Sequence, residues 1–149
     1  MGKFHAVLAI LFLSATLSYA EGGCSGNGQI SGIPIQSCYE KLSSFYMGIQ
    51  ADNGMFFIDP GKSVQYGGKT YWLRFFVTSA SRVYNQIQAL AQTGYATRSS
   101  VEIIYPNYAT TTVTNANAGL NDANCSTNTD NAGNAAYMYC PIQALSILE

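Results

Sequence analysis

The sequence predicts a mainly β domain with a single helix, either an α+β arrangement or a small barrel with the helix laid across it. Three observations lead there. Short alternating runs separated by Asn53-Gly54, Pro60-Gly61 and Gly67-Gly68 turn signals occupy the chain from Leu42 to Val77. One amphipathic helical stretch, Thr78 to Gly94, comes next. Alternation then resumes at Val101.

The first twenty residues stand apart from that domain. Lys3 makes a positive start, Ala6 to Leu13 an apolar run, and Ser18-Tyr19-Ala20 a small-x-small cleavage site before Glu21. These are the parts of a secretory signal peptide cleaved after Ala20, which leaves residues 21–149 as one exported domain. No later run approaches the roughly 20 apolar residues of a membrane span, so membrane insertion is not expected.

Glu21 to Gly32 is glycine-rich and reads as an irregular arm, followed by extended chain over Ile33 to Tyr39. Leu42 to Gln50 reads as one strand with Phe45, Met47 and Ile49 on one side and Tyr46 on the other. Asp52-Asn53-Gly54 turns it into Met55 to Ile58, and Asp59-Pro60-Gly61-Lys62 turns again into Ser63 to Tyr66. Lys69 to Val77 is the clearest strand. Tyr71, Leu73, Phe75 and Val77 share one face, and Trp72, Arg74 and Phe76 the other. Arg74 is either stacked between its two aromatic neighbours or, the commoner case, a solvated edge arginine.

In the helix, Thr78, Ser79 and Ser81 offer capping hydroxyls, and Gly94 stands where a left-handed terminator belongs. Ala80, Val83, Ile87, Leu90 and Ala91 form its apolar stripe. The opposite face carries Asn85, Gln86, Gln88, Gln92 and one charge, Arg82. Amides lose less than ions on desolvation, so such a face suits half-burial against a copy of itself; a charge-poor solvated face is the plain alternative. Val101, Ile103 and Tyr105 then alternate up to Pro106, and Thr110 to Thr114 reads as a further strand. Asn115 to Asn134 reads as a long polar loop, Ala136 to Tyr139 as extended, and Pro141 to Leu148 as an apolar tail open to helix.

Charged residues make up 10% of the chain, well below the usual ~25%. Loss of the leader removes Lys3 from seven basic residues, leaving six against eight acidic ones. That balance offers no basic stripe, so nucleic acid is not an expected partner. The leader also takes the sole histidine, His5. Without an imidazole, and with its thiols oxidised, the domain lacks the usual bases and nucleophiles, and an enzyme is not expected. Asp52 and Asp59 could approach across a hairpin, but they are more simply turn formers.

Cys24, Cys38, Cys125 and Cys140 make an even count in an exported chain, which argues for two disulfides with three connectivities open. The local pairs Cys24–Cys38 and Cys125–Cys140 are favoured, each closing a loop of roughly 15 residues worth about 3 kcal/mol. Their spacing does not suit zinc, and no cofactor is expected. Asn124-Cys125-Ser126 matches a glycosylation acceptor, relevant only in a eukaryotic secretory pathway. By residue type, Tyr105, Tyr46 and the serines at 37, 43 and 44 suit a glycan site, which needs hydroxyls, amides and aromatic faces but no reactive group.

Several of these runs, taken in order, resemble one family. They are Leu42-Ser43-Ser44-Phe45 through Gly48, Asp52-Asn53 to Phe57, and Ser79, Ser81, Tyr84-Asn85-Gln86 and Thr93-Gly94 in the helix. Val101-x-Ile103-x-Tyr105 and Asn117-Ala118-Gly119-Leu120 leading to Cys125 complete the set. The pattern is similar to the B subunits of subtilase cytotoxin and of the related typhoid and pertussis-like toxins. The resemblance implies an OB-fold small barrel in a ring-shaped homopentamer, which binds sialylated or related host cell-surface glycans and delivers an enzymatic A subunit as a virulence factor. It also implies a place for Tyr105 in the glycan pocket and, near Cys38, for the family's sialic-acid serine, with Ser37 adjacent. Helices lining a central pore would account for the amide face. The chain departs from the family in three ways: Ile58 and Asp59 stand where the family's hairpin disulfide lies, Tyr95 to Arg98 are extra, and the terminal cysteines are wider apart. A secreted monomeric binding or inhibitory protein of the same fold is the alternative expectation.

Overall fold

The computed structural model describes residues 23–30, 33–130 and 132–148, with side chains from Glu40 onward. The expected leader and its cleavage after Ala20 lie outside the described residues. Eleven strands and one helix follow in the order β1 (Gly23–Ile30), β2 (Ile33–Leu42), β3 (Tyr46–Gln50), β4 (Met55–Asp59), β5 (Ser63–Tyr66), β6 (Lys69–Val77), α1 (Tyr84–Thr97), β7 (Ser100–Pro106), β8 (Thr114–Asn115), β9 (Ser126–Thr129), β10 (Ala135–Pro141) and β11 (Ala144–Leu148). One sheet has the order β1-β2-β7-β11, and the other β3-β4-β6-β10-β9-β8 with β5 beside β6. The domain is mainly β with one helix, as its periodicity predicts.

β6 is the hub. Its first residues pair with β5 and its last with β4, so these two share one edge in succession. The other edge pairs in parallel with β10. Tyr71, Leu73, Phe75 and Val77 all point into the core, where they meet Phe56 and Ile58 of β4, Val101 and Ile103 of β7, and Met138 and Cys140 of β10. α1 packs on β7 and β11 from outside.

The glycine-rich segment expected to be irregular is instead β1, paired antiparallel along β2. Its backbone is ordered by a partner strand rather than by its own side-chain pattern. That register sets Cys24 directly opposite Cys38. The strand expected over Leu42 to Gln50 is broken at Ser43-Ser44. Leu42 and Phe45 are both buried while the two serines between them are exposed. Residues three apart cannot share one face of a strand, so the chain bends there.

The helix begins and ends later than its capping signals predict. Ser81 and Tyr84 close successive turns by donating N–H to the carbonyls of Thr78 and Ser81, and the N-cap is Val83, with no side-chain cap bond. Gly94 is interior; the left-handed residue is Arg98, at φ 56°. Close packing explains this glycine, because a Cβ at 94 would lie 2.6 Å from Cγ1 of Val101. The buried stripe is narrow, Ile87, Ala91 and Gly94, while Val83 and Leu90 are exposed. On the other face Asn85, Gln86 and Gln92 are exposed and Gln88 is half-buried.

Thr110 to Thr114 does not form a strand. Asn107, itself buried, accepts from Ala109 N–H through Oδ1 and from Thr111 N–H through its carbonyl, folding the segment into turns before the short β8. The polar stretch after it carries a single 3-10 turn, Ala116–Ala118, and β9. The apolar tail is strand, not helix. Ile142 donates N–H to Phe76 O and Gln143 to Ile104 O, so the chain leaves one sheet and enters the other without interruption. Cys125 and Cys140 form a disulfide, which fits a secreted protein. Among the described residues, no helix is long and apolar enough to cross a membrane.

Three phenols are pushed above the ordinary value of 10.0, chiefly by burial: Tyr105, Tyr108 and Tyr139. The Glu40 carboxylate adds to the shift of the first two, whereas Arg74 offsets part of the third. A raised folded-state value means that the native chain holds these protons more tightly than the unfolded one. The associated stability is therefore complete below about pH 10 and lost as pH rises through the folded values. The urea midpoint is expected to hold level up to about pH 9 and to fall steeply above about pH 10. A midpoint unchanged at about pH 11 contradicts this.

Candidate functional site

Among the described side chains, Tyr105, Tyr46 and Ser43 do not line one pocket. Tyr105 shares the inward face of β7 with Val101 and Ile103, is 3% exposed, and sets its ring 4.8 Å from that of Phe75. It is a core residue, not a pocket rim. Tyr46 sits at the start of β3 and is 76% exposed. Ser43 lies in the bend between β2 and β3, in a groove of about 510 Å³ shared with Phe45, Tyr95 and Arg98 near the helix end. Ser37 stands opposite Pro106 in the backbone register, and its side chain lies outside the described ones. Asp52 and Asp59 occupy opposite ends of the β3–β4 hairpin, and Asp59 is taken up by Arg74. They form no carboxylate pair.

Arg74 corrects another expectation. It is neither a solvated edge residue nor stacked on its strand neighbours. Its guanidinium lies 4.5 Å from the ring centre of Phe57 and 4.2 Å from that of Tyr137, one strand away on either side. Its Nη2 donates to Asp59 Oδ2 at 3.0 Å. Phe57 has room to lie across β3 because Gly48 stands opposite; a Cβ there would fall 2.8 Å from the ring. Tyr139 completes this face, at 5.7 Å from Tyr137 and 6.5 Å from Phe76 between ring centres.

Beside Tyr139 opens a cleft of about 470 Å³, within the usual range of ligand pockets. The hairpin end of β3 and β4 contributes Gln50, Asp52 and Asn53. The 3-10 turn contributes Asn117, and β9 contributes Asn128. Met55 and Leu120 supply apolar lining. Long-range contacts hold the walls in register. Thr78 donates its hydroxyl to Asp122 at 3.2 Å, tying the end of β6 to the loop before Cys125. The disulfide then joins that loop to β10.

Several polar lining groups are fixed at one end by a hydrogen bond within the chain. Asn53 Oδ1 accepts from Met55 N–H at 3.0 Å, and Asn128 Oδ1 accepts from Tyr137 N–H at 2.8 Å. Both amides thus turn their NH₂ groups away from the backbone. Gln50 Nε2 donates to Asp52 Oδ2 at 3.2 Å, leaving the other carboxylate oxygen open. Asn117, Asn128 and Tyr139 escape a reading of the sequence because two lie in a stretch with no periodicity and the third in a strand with no visible partner. The Asp52-Asn53 turn is the one part of the cleft that local signals locate.

Such a lining can hold a hydroxylated molecule by hydrogen bonds and apolar contact. Among the described residues, no three His, Cys, Asp or Glu side chains converge as metal ligands would. No family model matches the sequence, and no curated protein and no solved structure matches it.

Proposed function

We propose that this chain is the secreted receptor-binding B subunit of an A–B type toxin, an OB barrel that assembles as a homopentamer and binds host cell-surface glycans. The observation that carries this reading is that the chain bends from one sheet into the other at both ends of a run of paired strands. From β3 the order passes through β4 and β6 to β10. β10 continues into β11, β11 pairs with β7, and β7 with β2, which runs through the Ser43-Ser44 bend back into β3. Closure of these five chain segments through the two bends would make a small Greek-key barrel, with α1 packed on β7 and β11.

The helix supports the assembly. Its outward face combines amides with exposed Val83 and Leu90 and carries little charge, a composition suited to contact with copies of the same chain. Five shallow sites on one ring gain avidity without any new contact, which suits a receptor-binding subunit whose single sites are weak. The glycan site in this reading is the Asp52–Asn117–Asn128 cleft rather than the neighbourhood of Tyr105. An enzymatic A subunit would be carried on the ring.

Native mass spectrometry of the mature chain at micromolar concentration tests the assembly, with five copies as the expected result. A single-chain mass under those conditions removes the toxin-subunit reading and leaves the monomeric binding protein.

A further inference from the structure

We infer that the cleft beside Tyr139 selects uncharged sugars, presenting neighbouring hydroxyls of a hexose or N-acetylhexosamine to its amides, and turns away sialylated ends. This rests on the glycan-binding reading and narrows its ligand class.

Charge decides the selectivity. Among the described residues, Asp52 is the ionisable carboxylate of the lining, and no lysine or arginine lines the cleft. Asp122 adds a second negative group just behind the wall, where it accepts from Thr78. Arg74 lies against the Tyr139 hydroxyl from behind the lining, but its charge is paired with Asp59 at 3.0 Å and its guanidinium is covered by Phe57 and Tyr137. A sialic acid carboxylate placed here would face a like charge, and the one cation behind the lining is already neutralised by Asp59.

Hydrogen-bonding capacity decides the rest. A sugar hydroxyl donates once and accepts twice, so neighbouring hydroxyls need a mixture of acceptors and donors. Asp52 retains an acceptor oxygen, and the NH₂ group of Asn53 is a donor whose partner oxygen is already committed, while the Asn128 side chain bonds the Tyr139 hydroxyl beside it. The Asn117 side chain has no hydrogen bond among the described residues, so both its oxygen and its NH₂ are open to a ligand. Tyr139 and Leu120 offer apolar surface to the C–H face of a pyranose ring.

A glycan array printed with galactose-, glucose- and N-acetylhexosamine-terminated glycans beside sialylated ones tests this with the mature protein. Retention is expected on a neutral subset, with sialylated versions of the same glycans bound at least about tenfold more weakly. Asn117→Ala should weaken neutral binding about tenfold, the scale of one or two lost hydrogen bonds. Lys69→Ala, at the exposed first residue of β6, should leave binding unchanged. If Asn117→Ala does not fold, Asp52→Asn provides the second reading, expected to narrow the gap between neutral and sialylated ligands. Retention on sialylated glycans alone, or neutral binding indifferent to both cleft variants, overturns the inference while leaving a glycan-binding protein. Retention on no glycan overturns both.

Discussion

Replacing Cys125 and Cys140 together by serine is expected to lower unfolding stability by about 3 kcal/mol, the entropy of closing a loop of this length. Both sulfurs are fully buried, and the cross-link spans β9 and the turn that leads into β10. Cys125 also anchors β8 through its carbonyl, which accepts from Thr114 N–H at 3.0 Å. Apart from the pairing of β9 with β10 and the Thr78–Asp122 bond, the 115–134 stretch is held by short polar side chains with little apolar burial. Domains are marginally stable, at roughly 5–15 kcal/mol, so the loss is a large share of the whole. It should also be felt in binding, since Asn128 and Tyr139 lie between the two half-cystines or next to one. A urea titration with and without reductant measures the first effect and glycan retention the second. An unchanged midpoint in the double variant would show that the loop is held by something other than the cross-link.

Phe75→Ala is expected to cost about 3–5 kcal/mol, the range for emptying a large buried site. Phe75 is fully buried at the centre of β6, between Ile58 of β4 and Cys140 of β10 in the register. Its ring also packs on Tyr105. The cavity would thus open where the two sheets meet, and rigid strand backbone on both sides prevents collapse. Trp72 in the same strand faces outward and is 54% exposed, so Trp72→Ala should cost far less despite the larger side chain. Urea unfolding of the two variants side by side checks the facing of β6. A larger loss at Trp72 than at Phe75 would contradict it.

β6 and the hairpin before it were legible because their information is local. An alternation of apolar residues is a property of consecutive positions, and so is a turn at Asp52-Asn53-Gly54. The parity of β7 was legible too: Tyr105 shares its alternation with Val101 and Ile103, and that alone places it in the core rather than at a rim. The expectation of a pocket at Tyr105 came from its residue type and from the family resemblance, and the burial of that face of β7 speaks against it.

The amino-acid sequence by itself determined the class of the domain, its single helix, most strand positions before that helix, and an export-type composition with paired cysteines. Tertiary structure alone decided what Gly94 is for, because the reason lies in Val101 across a turn and not in any capping signal. It likewise decided which rings enclose Arg74, that the final apolar residues join a sheet, and that a hairpin tip and an aperiodic polar stretch face each other as a cleft. These depend on contacts between segments far apart in the chain. Such contacts contribute free energy only once the intervening chain has been ordered, so no short window of sequence encodes them.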